Sequence, residues 1–248
     1  MTPDLPSLQP VLARISGKVA RLRGLVLPET FRVSLEHKLE IELTHGSTAI
    51  EGNTLTLRET QLLIDEGIAP SGSKRLREIY ETVNHHKAVL MMREWVREGR
   101  SCEEAHMGHL RQMVMEKIDD ERAGRYRVDR VMVTGAPQQP LRPALVPEAM
   151  RQLFAWIGTC DLQPVLLAGE AHYRFVKIHP FYDGNGRTAR LLMNWLLLDA
   201  GYPLTVIPAE ARSRYITSID EADRGRSQDF FTLLGECVES SLDQYLNA

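Results

Sequence analysis

Apolar residues recur at helical spacing along almost the whole chain, and this excludes most architectures before any motif is considered. Leu35, Leu39, Leu43 and Ile50 fall on one stripe of a helix that Gly52 can end. Thr56 and Glu59 form a capping-box pattern ahead of Leu62, Leu63 and Ile64, with Gly67 as the stop. Leu76, Ile79, Tyr80, Val83, Lys87, Leu90, Met91 and Trp95 mark a long helix ending near Gly99. Ser101 and Glu104 repeat the capping box before Leu110, Met113, Val114 and Ile118. Pro147 suits the first turn of a helix carrying Met150, Leu153, Phe154 and Ile157. Further helices are expected over 164–178, 185–199, 209–221 and 227–246. One segment, Arg130 to Pro137, is β-branched and then turn-rich, which predicts a short strand or hairpin resting on helices. The fold class is therefore all-α, one domain over 31–248 with a small β flap at about 128–137. The proline-rich first thirty residues (Pro3, Pro6, Pro10, Pro28) read as a peripheral arm.

Composition narrows the function only by exclusion. Thirty Lys plus Arg against 33 Asp plus Glu leave a net charge of −3, and 6% of residues are aromatic, so no nucleic-acid partner is expected. Cys102, Cys160 and Cys237 are far apart, which excludes a zinc knuckle and argues against a disulfide framework. Apolar runs such as Leu196-Leu197-Leu198 are too short to cross a bilayer. A soluble, cytoplasmic protein with no membrane partner is the expectation.

The chemistry is concentrated in His179-Pro180-Phe181-Tyr182-Asp183-Gly184-Asn185-Gly186-Arg187-Thr188-Ala189-Arg190. This segment lies between two helices, and Gly184 and Gly186 free the backbone at the entry to the second. A helix start offers unpaired N–H groups and the positive end of the helix dipole, so Gly-Asn-Gly there is a cradle for phosphate. Arg187 and Arg190 share a helix face, Asp183 is a hard ligand suited to Mg²⁺, and His179 suits a general base. Taken singly, a turn, two solvated arginines and a capping histidine are the commoner roles. Their concentration in one segment points instead to phosphoryl or nucleotidyl transfer.

The segment resembles the Fic-family signature His-Pro-Phe-x-Asp/Glu-Gly-Asn-Gly-Arg-x-x-Arg at every defining position, and the likeness extends over roughly Leu35 to Leu246. The resemblance implies an all-helical Fic fold and transfer of AMP from ATP to a Tyr, Thr or Ser hydroxyl of a target protein, with pyrophosphate released. It makes His179 the base that deprotonates the hydroxyl and Asp183 the ligand of Mg²⁺. Gly184, Asn185 and Gly186 would cradle the phosphates, Arg187 would contact them, and Arg190 would reach the γ-phosphate.

Ser47-Thr48-Ala49-Ile50-Glu51-Gly52-Asn53 resembles the family's inhibitory motif, here N-terminal to the core on a helix of about 34–52. Without the family, Glu51 is an acid near a helix C-terminus, where the dipole disfavours it. The resemblance pairs Glu51 with Arg190 in a bidentate contact that blocks productive ATP binding, with Ser47 tying the helix to the motif loop. The flap implies that Val131 and Val133 contact the target or pack in the core.

One departure from the family lies on the adenine side. Asp223 stands where members often have Asn, and Tyr215 either flanks the base or packs inside. The rival functions are AMP removal with Glu51 positioning water, phosphotransfer, and a non-catalytic nucleotide-responsive module. The resemblance also allows self-modification and a homodimer whose interface relieves the brake.

Overall fold

A helix that is apolar around most of its circumference is stable only inside a protein, and the stretch Asn185–Asp199 is such a helix, burying Ala189, Leu191, Leu192, Met193, Trp195, Leu196 and Leu197. The computed structural model describes residues 5–70, 72, 74–132 and 139–247. Its helices are α1 (Leu5–Arg23), α2 (Glu29–Ile50), α3 (Leu57–Glu66), α4 (Leu76–Arg97), α5 (Glu104–Val114), α6 (Val146–Thr159), α7 (Pro164–Ile178), α8 (Asn185–Asp199), α9 (Arg212–Asp223) and α10 (Gln228–Leu246). Helix α8 is the centre: α2, α4, α5 and α7 all touch it, while α6 and α10 pack on α7. No described helix is long and apolar enough to cross a membrane.

Local chemistry accounts for several boundaries. At the head of α3 the Thr56 hydroxyl accepts the Glu59 N–H at 3.1 Å, and the Glu59 carboxylate accepts the Thr56 N–H at 2.8 Å. Gly67, at φ +67°, ends the helix in the left-handed region. Gly52, at φ +100°, ends α2 likewise, with the Asn53 N–H returning to the Thr48 carbonyl at 3.2 Å. That termination leaves Glu51 as the last residue before the chain turns away. Gly46 lets α2 sit directly on the chain at Ile207, whose carbonyl any β-carbon there would overlap.

Three expectations meet a different structure. Residues 5–23 form α1, whose stripe Leu8, Val11, Leu12, Ile15 and Val19 is buried against α10. Pro6 falls in the first turn, where its missing N–H costs nothing, and apolar burial outweighs the break at Pro10. The second capping box does not form: α5 starts at Glu104, and the Glu104 carboxylate accepts the Tyr126 hydroxyl at 2.6 Å instead. The flap hairpin is not seen. Residues 128–132 and 139–142 have no strand, and 133–138, with Val133, lie outside the described residues.

Burial also sets a pH dependence. His172 and His85 are wholly enclosed. Burial first, then the Arg190 charge, lowers His172 to about 3, and the same two causes with Arg187 hold His85 well below its ordinary value. Both are neutral when folded and bind a proton when unfolded below about 6.5. Their stabilisation is therefore full above that pH and is lost as pH falls toward 3. Thermal melting followed by circular dichroism should show Tm dropping steadily from pH 6.5 to pH 4; an unchanged Tm across that interval contradicts neutral burial.

Candidate active site

The loop between α7 and α8 is shaped by contacts that short-range sequence does not reveal. His179 follows α7 in the left-handed region, φ 49°, a conformation a residue with a β-carbon adopts only when its surroundings impose it. Its N–H donates to the Phe175 carbonyl at 3.0 Å. Phe181 is fully buried against Phe175 and Tyr126, with the Arg111 guanidinium 5.0 Å from the ring centre. The Asn185 side chain closes the loop, accepting the Phe181 N–H at 2.9 Å and donating to the Phe181 carbonyl at 2.8 Å. Asn185 thus spends its amide on the loop and offers only its backbone N–H to an anion. Asn185→Ala should cost about 2 kcal/mol in urea unfolding, because two buried backbone groups lose their partner; a loss below about 0.5 kcal/mol would mean that the loop holds itself.

Four donors of Arg190 are engaged within the protein. This buried guanidinium donates from Nε to the Ser47 hydroxyl at 2.8 Å, from Nη2 to the Ser47 carbonyl at 2.8 Å and to Glu51 Oε1 at 2.7 Å, and from Nη1 to the Tyr215 hydroxyl at 3.2 Å. The Glu51 contact uses one carboxylate oxygen and is not the bidentate pair expected. Ser47 grips the second arginine of the motif rather than the loop. Glu51 Oε1 also lies over the first turn of α8, so close that a methyl group on Gly186 would overlap it. A carboxylate therefore sits at the N-terminal end of α8.

Glu51, Arg190 and Tyr215 line one cleft of about 310 Å³, with His179, Gly186, Lys177 and Asp223 also among its walls. Burial first, then the Arg127 charge, lowers His179 to about 4, against opposing pulls from Glu51 and Asp183. Asp223 accepts from Tyr173 at 2.9 Å and Lys177 at 2.7 Å. Tyr215 both lines the cleft and packs inside, with its hydroxyl 2.8 Å from His172 Nε2.

Asp183 and Arg187 are not among that cleft's walls. They pair with each other at 3.1 Å, and Arg77 holds the other Asp183 oxygen at 2.6 Å. Burial alone would raise the Asp183 carboxyl, but Arg187, the Gly184 N–H and Arg77 outweigh it and hold it low. Arg187 is buried, and its Nε and Nη1 have no hydrogen-bond partner among the described residues. Buried donors without a hydrogen bond are costly, and Nη1 lies 3.8 Å from Glu81 Oε1, an ion pair beyond hydrogen-bond reach. Val131 is half-buried.

Sequence reasoning gave no role to Arg77, Arg111 and Tyr182, and reached Arg127 only as part of Gly124-Arg125-Tyr126-Arg127, a stretch that also resembles the family. Arg111 donates to the Asp183 and Arg122 carbonyls. Arg127 binds the carbonyls of His179, Ile178, Asp129 and Leu141. Tyr182 bonds to Val128 and Asp129. Nothing in the local pattern distinguishes the buried Arg111 and Arg127 from solvated arginines, and Arg77 is itself exposed.

Residues 101–197 match the Fic/DOC family. The protein adenylyltransferase Fic of Drosophila willistoni is 34% identical over 238 residues, covering 95% of this chain and 47% of that protein. Its counterpart in Drosophila persimilis is 35% identical over 206 residues, covering 82% and 40%. The chain thus spans about half the length of the curated relatives it matches, or less. Fic-1 from C. elegans superposes with a TM-score of 0.86 at 26% identity, over 96% of this chain and 72% of that one. A Fic-domain-containing signalling protein from Bacteroides thetaiotaomicron does so with a TM-score of 0.86 at 28% identity, over 96% of each chain. Residues 101–197 thus match the Fic/DOC family, within a fold shared with Fic-domain proteins.

Proposed function

We propose that the chain is an autoinhibited protein adenylyltransferase that moves AMP from ATP to a Tyr, Thr or Ser hydroxyl of a target protein, itself included, in the reducing cytoplasm. The observation that carries this reading is the Glu51 carboxylate at the α8 N-terminus, 2.7 Å from Arg190 and in the cleft that His179 lines. A negative group already occupies the place where a nucleotide phosphate has most to gain, so the site is built for an anion and held closed to it. The relatives' names support the same activity.

In the reaction the target hydroxyl oxygen bonds to the α-phosphorus, the bond to pyrophosphate breaks, and pyrophosphate departs. His179 takes the hydroxyl proton on its ring nitrogen. A histidine lowered to about 4 is neutral at pH 7 and free to accept it. The first N–H groups of α8, with Arg187 and Arg190, oppose the charge on the phosphates. Asp183 is the residue that would hold Mg²⁺. Asp183 is a hard carboxylate, of the kind that holds Mg²⁺ together with phosphate and water. Bound there, Mg²⁺ would neutralise phosphate charge.

The Glu51→Gly protein, incubated with ATP labelled at the α or the γ position, tests the reading. Label from the α position on protein supports adenylyl transfer. Label from the γ position alone makes the protein a kinase, and nucleotide binding without transfer makes it a binding module. The pH profile is a second check: the acid limb of kcat/KM should have its midpoint below 6.5, and a midpoint at or above 6.5 removes His179 as the base.

A further inference from the structure

Arg127 is 2% exposed, and its guanidinium donates to backbone carbonyls rather than to a carboxylate among the described residues. Its partners are four backbone carbonyls from three stretches of chain. Nε donates to His179 at 2.7 Å, Nη1 to Asp129 at 3.2 Å, and Nη2 to Ile178 at 3.4 Å and to Leu141. The Arg127 N–H adds the Pro180 carbonyl at 2.9 Å. A buried charge without a counterion is costly, and only a fixed set of oriented dipoles offsets it. A guanidinium spreads five donors over a rigid plane and can reach all four carbonyls, whereas a lysine has one nitrogen and cannot.

The gripped carbonyls share one feature. Ile178 and His179 carry the end of α7 into the left-handed turn that aims the candidate base. Asp129 and Leu141 are near the two ends of segment 128–142. A second tie runs in parallel: the Tyr182 hydroxyl accepts the Val128 and Asp129 N–H groups at 3.2 and 3.3 Å and donates to Asp129 Oδ2 at 2.8 Å. The motif loop and both ends of that segment are therefore held by one side chain.

We propose that Arg127 is a positioning residue that couples the backbone of His179 to Asp129 and Leu141, so that the orientation of the candidate base and the placement of these two chain positions are set together. The catalytic part of this proposal rests on the transferase reading; the coupling itself does not. Without Arg127 the left-handed turn at His179 loses its carbonyl anchor, and the two ends of the segment lose their common hub.

The test uses Glu51→Gly as parent and adds Arg127→Lys or Arg127→Ala. Amide hydrogen exchange is followed at 128–132 and 179–182, with α8 as internal reference. ATP affinity comes from calorimetry, and auto-modification by α-labelled ATP from single-turnover rates. Arg127→Lys should speed exchange about tenfold in both segments together and slow auto-modification on the order of 10²-fold, the scale of a base displaced by about 1 Å. ATP affinity should stay within about twofold. Added guanidinium should restore part of the Arg127→Ala rate, a rescue that a general loss of fold does not permit. Unchanged exchange in either segment overturns the coupling, and so does parallel loss of α8 protection and ATP binding, which would make Arg127 ordinary scaffold. A parent that transfers no AMP counts against the transferase reading alone, and the exchange data then still decide the coupling.

Discussion

Replacing Glu51 with Gly should raise ATP-dependent auto-modification on the order of 10²-fold, read as α-label incorporated per minute at saturating ATP. The size follows from what the substitution releases. Glu51 Oε1 occupies Nη2 of Arg190 at 2.7 Å and covers the first turn of α8 over Gly186. Removing it frees a charge-assisted donor and the dipole end for a phosphate in a partly buried cleft. One such preorganised donor is worth roughly 10²–10³ in rate. The fold should tolerate the change, because Glu51 follows the last turn of α2, where the dipole opposes a carboxylate. Arg190 keeps its Ser47 and Tyr215 partners, so it stays placed. Glu51→Gln, similar in shape without the charge, should give a smaller rise. An unchanged rate in the Gly variant, with folding intact by circular dichroism, removes the brake from the account.

His179→Ala in the Glu51→Gly protein should lower transfer by about 10²–10⁴-fold, the range for loss of a positioned general base. ATP affinity should change little, because the groups proposed to face phosphate lie on α8, Arg190 included, and His179 is not among the side chains that hold Arg190. Any L-residue at position 179 meets the same left-handed backbone. His179→Asn, which tolerates φ near +50° better than Ala, therefore controls for loop strain. Both variants should be equally inactive. If Asn retained activity and Ala did not, the role of His179 would be the turn and not the proton; full activity in both would sink its assignment as base.

Much of the fold was legible because its signals are local. Asn185–Asp199 came out to the residue because a glycine-rich entry precedes a run that is apolar over most of its circumference. The head and tail of α3 follow from Thr56, Glu59 and Gly67 alone. The failures have the opposite character. Four prolines argued for an arm over the first thirty residues, but the stripe from Leu8 to Val19 is only worth burying because α10, more than two hundred residues later, supplies a surface. Glu104 looked like half of a capping box until Tyr126 offered it a better partner.

The site divides along the same line. The sequence by itself determined the chemical inventory: a histidine, a carboxylate, a glycine-flanked helix start, two arginines one turn apart, and an acid at the end of an earlier helix. These are properties of residue type and short spacing. Only the tertiary structure decided how each group is occupied. It turned the Asn185 amide inward, put Arg77 on Asp183, and placed Arg127 under His179. It also brought Glu51 to Arg190 across 139 positions. Burial and contact between distant segments set which donors are free and which charges are tolerated, and no window along the chain contains either quantity.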